Sequence, residues 1–335
     1  MAYGVKVEIN LSNPIGLLGF GMPLILLENA DAEVPYTDVY GIEDLEYLGI
    51  ENTSVAYKAA ALLFSQKNAP EHIAMCAVTE PATTALARAE LTEKGWRHLI
   101  VVTDGETGSS IQEISTIVEG LEHKMYFASL ATDDATTITT SNLRRTVLFY
   151  CDATEEAPVP VAALVGEIAG RDAGSFTVKN MILAGIPAQD LTDGQVANIH
   201  KKGGITYVVK AGDNVVSEGK TAGGEYIDAV DIEDYVVQQI SYETQKVMNQ
   251  HAKIPYDNNG IGLLESVCKN VLHRCYNNGM ILTNDDGTPG YWVKYALREE
   301  TKASDRAARK YIGGKFGFTL AGAIHDVEVV GEITV

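Results

Sequence analysis

The chain has 335 residues, 46% hydrophobic and 21% charged, which is the make-up of a folded protein too long for a single small core. A formal net charge of −19 excludes a nucleic-acid-binding surface as the main feature. No apolar run reaches the length of about twenty residues that a membrane-spanning helix needs, so no membrane insertion of this chain is expected.

The N-terminal segment alternates apolar and polar residues, with Val5, Val7, Ile9 and Leu11 on one side of a predicted strand. The opening MAYGVKVE lacks the basic and apolar regions of a secretion leader, so synthesis in the cytosol is expected. From Pro23 to Asp152 strand-like and helix-like runs alternate. The strand candidates are Leu24–Leu27, Ile73–Val78, Leu99–Thr103, Met125–Leu130 and Thr146–Cys151. The helix candidates are Thr53–Gln66, with Thr53 as cap, Thr83–Lys94 and Ser110–Glu122. Near-continuous apolar strands separated by amphipathic helices predict a mostly parallel sheet covered on both faces.

After a polar break at 153–158, a helix is expected over Val161–Ala169. Ile205–Lys210 and Val215–Glu218 read as a hairpin. Two long helices follow, Ile232–Gln250 and Gly262–Asn277, the second ending on Asn278-Gly279. Tyr291–Leu297 reads as a strand. Lys294 to Lys315 carries seven basic residues against three acidic ones in a chain that is otherwise acidic. Arg306, Arg309 and Lys310 fall at the spacing of one helix face. The last segment, with Val327, Val329, Ile333 and Val335, is a second predicted terminal strand. Two such strands need partners for their backbone groups, because an open edge is a template for association.

Motifs for chemistry fail on inspection. Gly19-Phe20-Gly21 lacks the third glycine of a dinucleotide loop, since Leu24 stands there. Gly219-Lys220-Thr221 lacks the earlier glycine of a phosphate loop, since Asn214 stands there. The histidines show no metal-ligand spacing. Cys76, Cys151, Cys268 and Cys275 are too scattered for a disulfide framework and are expected to be reduced and buried. Only Asp104–Gly108 follows a strand where α/β proteins bind ligands. It supports the alternative reading, a cytosolic Rossmann-like nucleotide-binding enzyme. Otherwise no catalytic, cofactor-binding or metal residue is assigned, and the chain is not expected to be an enzyme.

Several segments resemble the contractile tail sheath proteins of bacteriophages and phage tail-like particles. They are GKTAGGEYIDAVDIED at 219–234, KIPYDNNG at 253–260, Asn278–Ile281, Asp305–Arg309 and Leu320–His325, within roughly residues 200–335. The resemblance implies an α/β protein, α+β in its C-terminal half, with a mixed-sheet core and extended N- and C-terminal β-strand arms. It divides the chain into an N-terminal arm (1–22), an α/β domain (23–190), a sheath core domain with the two long helices (191–322) and a C-terminal arm strand (323–335). It implies a structural subunit of the virion tail, made in the bacterial host cytoplasm, that polymerises around the tail tube as stacked, hexameric rings. Such subunits contract by rigid-body rearrangement while exchanged strands hold them together, driving the tube through the target envelope for genome ejection. The implied partners are other copies, the tube protein, and baseplate and tail-terminator proteins. The implied tube-docking group is Arg306, Arg309 and Lys310. No cofactor is implied.

Overall fold

A computed structural model describes residues 21–103 and 108–325. By compactness they fall into two units, one closing at Asp234 and the other opening at Tyr235.

In chain order the first unit holds β1 (Pro23–Glu28), β2 (Val34–Val39), α1 (Ile42–Tyr47), α2 (Val55–Phe64), β3 (Ile73–Ala77), α3 (Ala82–Ala85), α4 (Ala89–Thr92), β4 (His98–Thr103) and α5 (Ile111–Glu119). β5 (Met125–Leu130), β6 (Thr146–Tyr150), α6 (Val161–Ala169), α7 (Asp193–Lys201), β7 (Gly204–Lys210) and β8 (Asp213–Val216) follow. The helix α8 (Ile227–Gln250) contributes residues 227–234 to this unit.

The strands form one sheet in the order β2-β3-β1-β4-β5-β6-β7-β8. All inner pairs from β3 to β7 are parallel; β2 and β8 join the edges antiparallel. Strand alternation sorts the core into two layers. Ile25, Met75, Ile100, Phe127 and Phe149 face a cluster with α2 and α6, while Leu24, Cys76, Leu99, Tyr126 and Leu148 face one with α3, α4, α5 and α7. Helix α6 is buried along its whole length. It lies so close to α2 that a Cβ on Gly166 would collide with the Leu63 backbone. Its one carboxylate, Glu167, is held by Asn68 Nδ2 at 2.6 Å and by Arg171.

The strand–helix alternation expected from sequence is present, with local differences. Ser54, not Thr53, caps α2, accepting from Tyr57 N at 3.2 Å. The stretch read as one helix over 83–94 is two single turns, α3 and α4, separated by Leu86–Arg88. The long helices begin earlier than expected: Asp257 caps α9, accepting from Gly260 N, and α8 starts at Ile227 with Asp228 in its first turn.

A buried ion cluster roots the start of α8. Arg97, 2% exposed, donates to Asp231 Oδ1 at 3.0 Å and to Asp234 Oδ2 at 2.8 Å. Arg145 grips the same Asp234 with two nitrogens, at 2.8 and 2.9 Å. His123 Nδ1 lies 3.3 Å from Asp234 Oδ1. Burial works to raise the Asp234 carboxyl, but hydrogen bonds from Arg145 and His123 and the two arginine charges outweigh it. They hold the group well below the usual carboxylate range.

The second unit holds the rest of α8, then α9 (Asn258–Asn277), β9 (Tyr291–Tyr295), α10 (Ala303–Ala307) and β10 (Gly314–Phe318).

Candidate functional site: an open two-stranded sheet

Helix α9 is the platform of the site. Asp257 caps its start, accepting from Gly260 N at 2.9 Å. Its end is closed by Gly279 at φ 77°, with Met280 N donating to Cys275 O at 3.0 Å. Cys268, Val271, Leu272 and Cys275 form its buried face, and both cysteines are free thiols. Burial pushes the two thiols up, to about 12 and about 11, so they pack as small apolar groups.

Against α9 lie β9 and β10, paired antiparallel from Gly314↔Tyr295 to Phe318↔Tyr291. Alternation puts Tyr291, Val293 and Tyr295 on one face with their cross-strand partners Phe316 and Phe318. Tyr291 Oη approaches His273 Nδ1 of α9 at 3.4 Å, so this face is the one toward the helix. The opposite face carries Trp292, Lys294 and Lys315. Glycine makes β10 a weak strand by itself, and aromatic rings cover the gaps. A Cβ on Gly317 would lie 2.7 Å from Trp292 Nε1, and one on Gly314 would lie 2.8 Å from the Tyr295 ring.

Two features mark this sheet as incomplete. Each strand has a single strand partner, and so one unpaired edge, among the described residues. None of its ten residues is buried, although six of them (Tyr291, Trp292, Val293, Tyr295, Phe316, Phe318) are large and apolar or aromatic. A lone two-stranded sheet is marginal in water, and edge backbone groups with an apolar face beside them accept further strands.

The connection between β9 and β10 carries the basic residues singled out in the sequence. They do not share a helix face. Helix α10 stops at Ala307, and Arg309 has φ 55°, the left-handed region. Arg306 is turned inward, donating to Arg298 O at 3.1 Å, to Thr301 Oγ1 at 3.2 Å and to Thr301 O. Arg309 and Lys310 are exposed. Tyr256 donates to Lys310 O at 3.3 Å, and Tyr311, stacked on Tyr295, donates to Ala296 O at 2.9 Å.

The alternative ligand site also has a structural description. Strand order reverses between β1 and β4, whose last residues, Glu28 and Thr103, are register partners. Glu28, 2% exposed, turns its carboxylate into this crevice. It accepts from Ala82 N at 2.7 Å, Ser109 N at 2.8 Å and Ser109 Oγ at 2.6 Å. Donors that would face a phosphate in a nucleotide-binding fold face the protein's own carboxylate here. Of the suspected loop, Gly108 packs against Glu28, and residues 104–107 lie outside the described residues.

Sequence reasoning missed β10 because Gly313, Gly314 and Gly317 argue against a strand; the alternating Phe316 and Phe318 were the available signal. The arm residues Val5, Val7, Ile9, Leu11, Val327, Val329, Ile333 and Val335 lie outside the described residues.

Comparison with known proteins bears on this site. Residues 227–333, from the start of α8 through both strands of the open sheet, match the family described as E217 tail sheath protein gp31-like, C-terminal domain. No curated protein matches the chain. Among solved structures, a chain of the six-fold symmetrised anti-feeding prophage baseplate is 15% identical, with 100% of this chain and 99% of that chain covered at a TM-score of 0.74. A chain of the anti-feeding prophage helical sheath in its contracted state is 15% identical, covering 99% of each chain at 0.73. The sheath tail protein of Desulfitobacterium hafniense is 9% identical, covering 88% of this chain and 94% of that one at 0.57. At these identities the likeness is one of fold, and the fold is that of sheath proteins over essentially the whole chain.

Proposed function

We propose that this chain is the structural subunit of a contractile tail sheath. The observation that carries the proposal is the two-stranded sheet of β9 and β10, which among the described residues has one strand partner per strand and no buried residue, within the segment matched to a sheath domain. Strands from neighbouring copies, Val5–Leu11 and Val327–Val335, complete it by adding backbone hydrogen bonds. In this reading the arms (1–22, 323–335) tether, and the α/β domain (23–190) and sheath core (191–322), whose β7 and β8 belong to the eight-stranded sheet, move. The cores move as rigid bodies between two packings, and the exchanged strands keep neighbours joined.

Further partners follow from the same reading. The copies form hexameric rings stacked on a tube, bounded by baseplate and terminator proteins, in a virion tail or tail-like particle made in the host cytoplasm. Arg309 and Lys310 supply charge toward an acidic tube, and Arg306 braces the loop that presents them. No step requires a nucleotide or other cofactor, and the Glu28 carboxylate in the switch-point crevice favours this non-enzymatic reading over the nucleotide-binding alternative.

Negative-stain microscopy of the concentrated protein tests the proposal. Striated hollow cylinders are the expected result, and deletion of either terminal segment is expected to leave a folded monomer that no longer polymerises. Persistent monomers stabilised against heat by a nucleotide would overturn it in favour of the enzyme.

A further inference from the structure

The lysine-bearing face of the open sheet carries an arrangement that only an acidic strand would relieve. Lys294 and Lys315 are direct register partners. Both are exposed, and neither has an ion-pair partner among the described residues. Like charges directly opposite each other weaken a strand pair. Next along the same face stands Trp292, 55% exposed over Gly317. The face therefore presents two adjacent levels, one aromatic and one doubly positive.

The two candidate strands differ in what they offer such a face. In the segment 327–335 the odd positions Val327, Val329, Ile333 and Val335 are apolar and suit the α9 side, where Tyr291, Val293 and Phe316 are half-buried. The even positions are Glu328, Val330, Glu332 and Thr334. Val330 is the single large apolar residue of that side, and a glutamate stands two positions away in each direction. Placing Val330 beside Trp292 thus puts a glutamate at the lysine level whichever way the strand runs, because residues two apart share a face one level apart. The segment 5–11 cannot satisfy both levels at once. Its even positions are Lys6, Glu8 and Asn10, so Glu8 at the lysine level leaves only Lys6 or Asn10, and no apolar residue, beside Trp292.

Resting on the strand-exchange reading above, we propose that Trp292, Lys294 and Lys315 select and register residues 327–335 of a second copy. Val330 packs on the indole, and Glu328 or Glu332 neutralises the lysine pair. The sheet then distinguishes the chain's two arm segments by charge, and assembly weakens as salt rises.

The test is a charge swap in the full-length chain, read as the protein concentration needed for polymerisation at low and high salt. Circular dichroism of the dilute monomer checks folding. Lys294→Glu with Lys315→Glu is expected to raise that concentration about tenfold or more at low salt, the scale of two or more exposed pairs acting together. Adding Glu328→Lys and Glu332→Lys in the same chain is expected to restore it. Unchanged assembly of the lysine variant, or rescue by Glu8→Lys instead, would overturn the assignment. Deletion of 327–335 separates this failure from that of the parent reading. If the deletion leaves polymers intact, strand exchange itself is wrong. If the deletion abolishes them while the lysine reversal does nothing, only the charge register is wrong.

Discussion

The two sheets of this molecule solve the same problem to different degrees. The eight-stranded sheet is finished within one chain: both faces are covered by helices, and its edges are blunted. Edge strand β2 carries Pro35 and a register shift between Val34 and Thr37, and β8 is only four residues long. The two-stranded sheet has one helix behind it, open edges, and no buried residue. A chain able to bury Leu24, Ile25 and Leu26 completely does not lack the means to finish a sheet. The contrast fits the proposal that the strands completing β9 and β10 come from other copies of the chain. Substitutions in the first sheet should therefore act on folding of the isolated chain, and those in the second on association.

The largest effect is expected at the ion cluster. Asp234→Ala leaves the buried Arg97 with one carboxylate instead of two and the part-buried Arg145 with none, and breaking one side of a buried pair costs about 3–5 kcal/mol. Chemical denaturation of the monomer should show that loss, with polymerisation impaired only as a consequence. A midpoint like that of the unmodified chain would mean that the cluster does not root α8.

A smaller effect is expected from acid. His98 is 4% exposed and its Nδ1 lies 3.1 Å from Gly21 O, an acceptor, so Nδ1 carries the proton of a neutral ring. Burial first, and the Arg97 charge second, lower its pKa to about 3, against the pull of the Gly21 hydrogen bond. The unfolded ring titrates near 6.5, so between these values the unfolded chain binds the extra proton. Stability from this group is complete above about pH 6.5 and falls as pH drops toward 3, by roughly 1–2 kcal/mol at pH 5. Asp234 adds its own loss only below about pH 4, since its folded pKa lies under the unfolded one. His98→Gln should flatten the decline in the urea midpoint between pH 7 and 5. An undiminished slope would assign the titration to another group.

How much was legible in the sequence follows the same division. The parallel strands were readable because burial on both faces leaves long apolar runs, as in Leu24–Leu27 and Thr146–Cys151, and α6 was readable from its Pro160 start and apolar length. β2 was not, because an edge strand with Pro35 and Asp38 has weak periodicity. The cluster of Arg97, Arg145, Asp231 and Asp234 was invisible because its members come from three separate parts of the chain. Only Asp231 and Asp234, at a helical i, i+3 spacing, were adjacent enough to notice. In the candidate site, β9 was legible from Tyr291–Tyr295, and β10 was hidden by its glycines. Spacing placed Arg306, Arg309 and Lys310 on one helix face, but a helix that stops at Ala307 takes Arg309 and Lys310 off it.

The smallest effect on the monomer, and the sharpest use of the contrast, belongs to Trp292→Ala. The indole is 55% exposed and covers Gly317 alone on its face, so its loss from the isolated chain removes little buried area. A stability change under about 1 kcal/mol is expected, the scale of one cross-strand pair. A comparable truncation in the finished sheet, Phe149→Ala at 0% exposure, should cost about 3–5 kcal/mol. In association the order reverses. An added strand would bury the indole from the open side, so Trp292→Ala should raise the concentration needed for polymerisation. Phe149→Ala should leave that concentration unchanged once the folded fraction is accounted for. Measuring monomer stability and polymerisation threshold for both variants separates a sheet that holds one chain together from a sheet that holds chains to each other. Equal effects of the two substitutions on both quantities would erase the distinction.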